Sequence, residues 1–491
     1  MNKILLKWIM VATLFALPSA ACAQLNPGDV DKAYTPHFDG NILSVELQED
    51  GKHVFAGTFS HVGDRTVGGL VRLNEDGTPD KTFNEGGSGF DNYATAMAQT
   101  ADGKFIVAGL FSKYNGQPVG MLVRINADGT LDESFNGNNK FTLEGSAFTD
   151  EVQLQHIAVL PNGQFYVAGG FNRVNGKPAP LIARFNADGT HDESYLPTKE
   201  EIHLKTSPYV DGFYMDTDGS VYLGGAFGAY GGKFSNKRMV HITSDGKLDV
   251  NFLQPGFDGY VKSIAPFGND GLIVGGDFVE VDAGSRFLTC VINKNGSLRE
   301  DYDPLQFAFT DYPEDESLAV FSAQLVGENV IVAGGDVSIP PHSFVYVLDK
   351  DGENISDAYN FGGGPNSLVT YMKVDEKNGF AYLSGFFTQF NSISASYFAR
   401  VAVPKSAPSA IQGIDNGNRL FSANYRKGTL SLNSTEKLAD VRVVDIMGRS
   451  IAEAKFLNSS KLSMPLANGM YVVIAKGISG KTYIAKTVVR N

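Results

Sequence analysis

The chain repeats itself, and the repeat limits what it can fold into. An Asp-Gly or Asn-Gly turn, a strand ending in glycine and then phenylalanine, a loop, a further strand and Asn-x-Asp-Gly-x-x-Asp-x-x-Phe recur in order. The first copy reads Asp50-Gly51, Val54-Phe55-Ala56-Gly57-Thr58-Phe59, Leu70-Val71-Arg72-Leu73-Asn74, Asp76-Gly77, Asp80 and Phe83. The second has Asp102-Gly103, Gly109, Phe111, Arg124, Asp128-Gly129, Asp132 and Phe135; the third has Asn162-Gly163, Gly169, Phe171, Arg184, Asp188-Gly189, Asp192 and Tyr195. Seven strand glycines, Gly57, Gly109, Gly169, Gly225, Gly276, Gly334 and Gly385, follow one another at 52, 60, 56, 51, 58 and 51 residues. Asp-Gly and Asn-Gly supply the positive φ of tight hairpins, so each copy reads as several short antiparallel strands. The strand glycine, lacking Cβ, lets a neighbouring sheet or backbone come close, and the phenylalanine after it fills space between copies. Units of this length stack radially as propeller blades. An open solenoid would need capping units, and none is apparent.

The seventh copy predicts how the ring closes. Phe398-Ala399-Arg400-Val401 has no Asp-Gly-x-x-Asp-x-x-Phe behind it, but Gly28, Asp31 and Tyr34 near the start stand at the same offsets. A first segment that completes the last blade closes a ring. The charges agree: Arg72 goes with Asp80, Arg124 with Asp132 and Arg184 with Asp192, while copy four has His241 with Asp249. Copy five has Val291 and Arg299, copy six Val347 and Ile355, so cation and carboxylate vanish together. That is the behaviour of a partly buried pair, in which an orphan charge is costly. Arg400 is expected to pair with Asp31.

These signatures, recurring in order over residues 28–403, resemble the delta-60 repeat family. The resemblance implies a bacterial, usually secreted propeller whose general biochemical role is unsettled. Kelch repeats also use a double glycine but carry a tryptophan, whereas Trp8 is the sole tryptophan of this chain. Copies five and six depart most from the pattern, in the loops from Asp301 to Ser317 and from Ser338 to Ser343. Departures from a structural rule are where a site can be grafted.

The flanks read as export signals. Lys3 and Lys7, an apolar stretch from about Trp8 to Leu17, and Ala21-Cys22-Ala23 before Gln24 predict a signal peptide over 1–23. Its apolar core is too short for a stable membrane helix, and no later run spans a bilayer. The propeller is expected over 24–403, with 404–414, opening Pro404-Lys405-Ser406-Ala407-Pro408, as linker. Residues 415–491 lack the repeat and carry Asp445-x-x-Gly448-Arg449, Asn468-Gly469-x-Tyr471 and Lys486-x-Val488-Val489. This set resembles the C-terminal sorting domain of type IX secretion cargo in Bacteroidota. It implies an Ig-like β-sandwich, the type IX machinery as partner, and a secreted or outer-membrane-surface location reached through the periplasm. Losing Lys3 and Lys7 with the leader takes the formal charge from −13 to −15, which disfavours nucleic acid and anionic membrane. Cys290 then has no partner, so stability rests on core burial rather than an intrachain disulfide.

The sequence offers no catalytic, cofactor or metal motif. The Asn126-x-Asp128-Gly129-x-x-Asp132 type of segment has oxygens suited to Ca²⁺ but lacks the closing Glu, and its recurrence fits a hairpin. His53, His61, His156, His203 and His342 are scattered. Gly-x-Ser-x-Gly, Walker and sialidase boxes are absent, and Gly362-Gly363-Gly364 reads as a connection. Asp311, Glu314, Asp315 and Glu316 read as a solvated acidic loop, and Tyr114 and Tyr230 as the weak candidates for sugar stacking. The expectation is an all-β, seven-bladed propeller followed by an Ig-like sandwich, a non-enzymatic scaffold for a protein or glycan ligand. The alternatives are a polysaccharide hydrolase or lyase with acids in the central funnel, and a purely structural surface protein.

Overall fold

A computed structural model describes residues 25–144, 152–195, 209–227, 229–230, 233–234, 238–302, 318–336 and 342–405. In the tail it describes 421–426, 429–434, 437–445, 450–455, 461–463, 466, 469–477 and 482–489. The chain divides into two compact units, Met1–Ser406 and Ala407–Asn491. Both are built of strands; among the described residues the helical content is one 3-10 turn, Ser356–Ala358. No helix among them is long and apolar enough to cross a membrane.

The first unit is a β-propeller. Among the described residues it holds seven three-stranded antiparallel sheets that each run inner, middle, outer, and a further small one of Phe141–Thr142, Arg173–Val174 and Lys177–Pro178. In the first sheet these strands are Ile42–Leu47, His53–Gly57 and Leu70–Leu73; in the seventh they are Val369–Asp375, Phe380–Gly385 and Phe398–Ala402. Each inner strand touches the next one, and the seventh touches the first. Ser44 Oγ donates to Met97 O (3.2 Å), His156 Nε2 faces Val210 O (2.9 Å) and Gln324 Nε2 donates to Met372 O (2.7 Å). The ring closes where Ile42 N donates to Ser384 Oγ (2.8 Å) and Val45 N to Tyr371 Oη (3.0 Å).

The core lies between sheets. Seven apolar clusters each draw on two successive sheets, among them one joining Phe55, Val71, Tyr382 and Phe398 across the first and last. A middle strand is therefore covered on both faces, and His53–Gly57, Phe105–Gly109 and Val221–Gly225 are buried throughout.

The strand glycine serves the sheet that contains it. A Cβ on Gly57 would lie 2.1 Å from Asn41 O, and on Gly109, Gly169, Gly225, Gly276, Gly334 and Gly385 it would meet the corresponding carbonyl at 2.0–2.1 Å. That carbonyl belongs to the residue at or just before the start of the same sheet's inner strand, which bulges two residues later. The backbone that approaches is thus the glycine's own neighbouring strand. The phenylalanine that follows, Phe59, Phe111 or Phe171, is buried, Phe111 stacking on Phe90 at 4.0 Å.

The second unit holds a three-stranded sheet, Phe421–Arg426, Thr429–Ser434 and Lys461–Ser463, and a four-stranded one ordered Ser450–Lys455, Leu438–Asp445, Gly469–Gly477, Thr482–Val489. Leu430 and Leu432 of the first sheet and Val441, Val443, Val473 and Ala475 of the second share one core.

Candidate functional site

Among the described residues, six of the seven inner-middle-outer sheets have two unlike ends. One end carries the Asp-Gly turns. Asp128 Oδ1 accepts from Thr130 N (2.9 Å) and Oγ (2.7 Å), and Gly129 N donates to Asn126 O (2.8 Å), so these oxygens are engaged in the turn. The other end carries small two-stranded hairpins such as Lys113–Tyr114 with Gln117–Pro118, turned by Asn115 (φ 49°) and Gly116 (φ 79°).

The arginine–aspartate pairs sit at the outer edge. Arg72 Nε lies 2.9 Å from Asp80 Oδ2, and Arg124 and Arg184 lie 2.8 Å from Asp132 and Asp192. Each guanidinium also covers the aromatic three residues past its aspartate: Phe83 at 4.8 Å, Phe135 at 5.0 Å and Tyr195 at 4.8 Å. Each Nη1 then donates to a carbonyl of the next sheet, Ala127, Ala187 or Ser244 (2.8, 2.6 and 3.0 Å). The recurring Asp-x-x-Phe thus holds an arginine that ties neighbouring sheets. His241 takes the role opposite Asp249 at 2.9 Å, and Arg299 pairs instead with Asp301 at 2.8 Å.

The first segment meets the last sheet in the same pattern. Val30 bridges Val401 as Pro79 bridges Leu73, and Asp31 N donates to Arg400 O (2.8 Å) as Asp80 N does to Arg72 O (2.8 Å). Arg400 Nε donates to Asp31 Oδ2 (3.0 Å), and its Cζ lies 3.7 Å from the Tyr34 ring centroid.

Of the other expectations, Tyr114 does not offer a face for sugar stacking. It is buried, with its hydroxyl donated to Gly129 O (2.6 Å), because its ring packs on Phe90 beneath the hairpin. His53 packs edge-on against Tyr382, His61 is exposed beside Asp39, and His342 pairs with Asp336. In the tail Asp445 stands opposite Tyr471, Gly469 opposite Val489 and Lys486 opposite Val472 in the strand registers. Gly448, Arg449, Asn468, His203, the Tyr230 side chain, the acidic residues Asp311, Glu314, Asp315 and Glu316, and most of the two irregular loops lie outside the described residues.

A group the repeat pattern did not single out surrounds the axis. The bulge places one half-buried residue of each inner strand in a ring: Leu43, Thr95, Gln155, Asp211, Lys262, Phe321 and Thr370. Four consecutive members are polar. Gln155 Nε2 donates to Asp211 Oδ1 (3.2 Å) and its Oε1 accepts from Val210 N (3.0 Å). Lys262 Nζ lies 3.5 Å from Asp277 Oδ2 and 5.2 Å from the Phe321 centroid. Burial raises the Asp211 carboxyl above its ordinary range, with Lys262 opposing and Asp277 reinforcing the shift. Beside them Tyr260 is 37% exposed, with Arg238 Cζ 4.8 Å over its ring. The legible signal was a polar residue directly after the first buried residue of the inner strand, as in Val210-Asp211 and Val261-Lys262.

Fold and repeat together define a β-propeller protein. Segments 48–83, 100–135 and 160–195, the first three copies, match the family model of a β-propeller domain of unknown function, DUF5122. No curated protein matches the chain in sequence. Among solved structures it is similar to an extracellular domain assigned to the hybrid two-component system BT4673 of B. thetaiotaomicron, at 13% identity and a TM-score of 0.42. That match covers 95% of this chain and 59% of the other, so the chain spans under two thirds of that structure's length. It is also similar to YCF48 from Cyanidioschyzon merolae (12% identity, 77% of this chain, all of that one, TM-score 0.42). A third is the propeller domain of Cps50 (Swd1) from Myceliophteria thermophila (10% identity, 75% and 98% covered, TM-score 0.42).

Proposed function

We propose that this is an exported seven-bladed propeller of the delta-60 repeat type that acts by binding a protein or glycan, not by breaking bonds, through the hairpin end of its ring. One observation carries the reading. Of the large apolar side chains exposed among the described residues of the first unit, Tyr93, Tyr260, Val279 and Phe386 all stand at the hairpin end. Tyr93 and Tyr260 precede inner strands, Phe386 follows a strand glycine and Val279 leads into a hairpin; Val250 and Leu253 lie beside an edge turn instead. Exposed aromatics on loops held by a rigid scaffold favour recognition. In this reading residues 1–23 are the signal peptide, 24–403 the propeller, 404–414 the linker and 415–491 an Ig-like sorting domain addressed to the type IX machinery.

The test immobilises the full mature chain and captures ligands from cell-surface extracts and glycan libraries. A saturable ligand lost in Tyr93→Ala with Phe386→Ala, and kept in Val250→Ala with Leu253→Ala, supports the reading. Repeated silence from a folded chain removes it. For the tail, deleting 415–491 is expected to leave the protein in the periplasm, and unchanged export would refute the sorting role.

A further inference from the structure

We propose that the junction of the fourth and fifth sheets, at the hairpin end, is a subsite for an acidic sugar, a uronate whose carboxylate docks on Arg238 and whose hydroxyls meet Gln155, Asp211 and Lys262. The proposal deepens the binding reading above and rests on it.

The fold does not ask for arginine at position 238. Its carbonyl accepts the strand-glycine N–H of Gly225 (3.0 Å), the place filled by Met121, Leu181, Leu288 and Tyr397 in other sheets. The other described arginines of this unit have oxygen partners. Arg72, Arg124, Arg173, Arg184, Arg286, Arg299 and Arg400 pair with carboxylates, and Arg65 donates to the carbonyls of Asp80 and Phe83. Arg238 has no such partner among the described residues, and its Nε is shielded from solvent without one. A guanidinium 4.8 Å over the Tyr260 ring, with no oxygen partner among the described residues, suits a carboxylate, which it can bind in two-point fashion.

The neighbours specify a sugar. Lys262 is only loosely held by Asp277 at 3.5 Å, and Gln155 and Asp211 are fixed side by side at 3.2 Å. Adjacent fixed acceptors and donors match vicinal hydroxyls, and the exposed part of Tyr260 offers a ring edge for a pyranose. The junction is also open in chemistry: the other six inner-strand junctions are laced by side-chain hydrogen bonds, whereas here Gly212 and Gly224 simply admit Val261 and Ile264.

The test is calorimetry of the full mature chain with galacturonate, glucuronate and mannuronate oligosaccharides, their carboxyl-reduced counterparts and a glutamate-rich peptide. Saturable binding of a uronate is expected, at least tenfold weaker after carboxyl reduction. Arg238→Leu, the residue two other sheets carry there, is expected to weaken it at least tenfold with melting unchanged, and Arg238→Gln serves if the leucine variant unfolds. Equal binding of the reduced sugar, wild-type affinity in a folded Arg238 variant, tighter binding of the peptide, or no uronate binding by the folded chain would each overturn the subsite. A ligand captured from extracts and kept by Arg238→Leu would refute the subsite alone; no captured ligand at all would remove the scaffold reading with it.

Discussion

Asp31 and Arg400, 369 positions apart, form a salt bridge in which Arg400 Nε lies 3.0 Å from Asp31 Oδ2. The guanidinium lies between the rings of Tyr34 and Phe380, 3.7 and 4.3 Å from their centroids, and both charged side chains are about nine-tenths buried, at 11% and 9% exposure. The pair ties the start of the propeller to its last sheet.

Asp31→Ala is therefore expected to destabilise the propeller by about 3 kcal/mol, because it leaves a buried guanidinium without its carboxylate. Thermal unfolding followed by circular dichroism checks this. Unchanged melting in Asp31→Ala beside a lowered melt in Asp80→Ala would show that the first segment does not close the ring.

Copy six carries Val347 and Ile355 where copy three carries Arg184 and Asp192. Replacing both charges of the pair, as Arg184→Val with Asp192→Ile, is predicted to cost less than Asp192→Ala alone, since the single change strands a cation. Denaturant midpoints of the two variants decide it, and a double variant weaker than the single would contradict the pairing logic.

Acid should unfold the propeller through these edges. Burial works to raise the Asp80 carboxyl, but hydrogen bonds from Lys52 and Thr82 and the charge of Arg72 outweigh it and hold the pKa well below the ordinary range. Asp132 is held down likewise by Lys104, Ser134 and Arg124 against its burial. A depressed folded pKa means stability that is complete above the unfolded value of about 3.9 and lost as pH falls towards the folded one. Melting temperature is expected to drop below about pH 4, less steeply in an Asp80→Asn, Asp132→Asn variant that has already lost this contribution.

Two glycines separate close approach from conformation. A Cβ on Gly109 would meet Tyr93 O at 2.1 Å, whereas Gly116 has open space around it and a φ of 79°. Gly109→Ala is expected to cost about 3 kcal/mol, since backbone must move. Gly116→Ala pays only the left-handed strain, about 1 kcal/mol. Urea unfolding of both variants measures the difference, and equal costs would mean that the strand glycine is not there for the carbonyl.

Much of this architecture is legible in the chain because local chemistry recurs. Asp-Gly and Asn-Gly fix hairpins through φ alone, and the displaced Gly28, Asp31 and Tyr34 betray the closing segment by their offsets. The reach of Arg72 to Ala127 in the next sheet is not legible. It depends on how far one sheet is rotated from its neighbour, which no spacing encodes. Tyr114 shows the same limit: Asn115-Gly116 marks a loop turn beside it, but only the packing on Phe90 shows that the ring faces inward.

The sequence by itself determined the repeat, the Asp-Gly and Asn-Gly turns that split each copy into short strands, and the supply of Asp31 to the copy that lacks its aspartate, since each follows from residue type and offset. Tertiary structure alone decided which side chains meet at the axis. Gln155, Asp211 and Lys262 come from three different copies, and what gathers them is a backbone bulge repeated in every inner strand together with the closure of the ring.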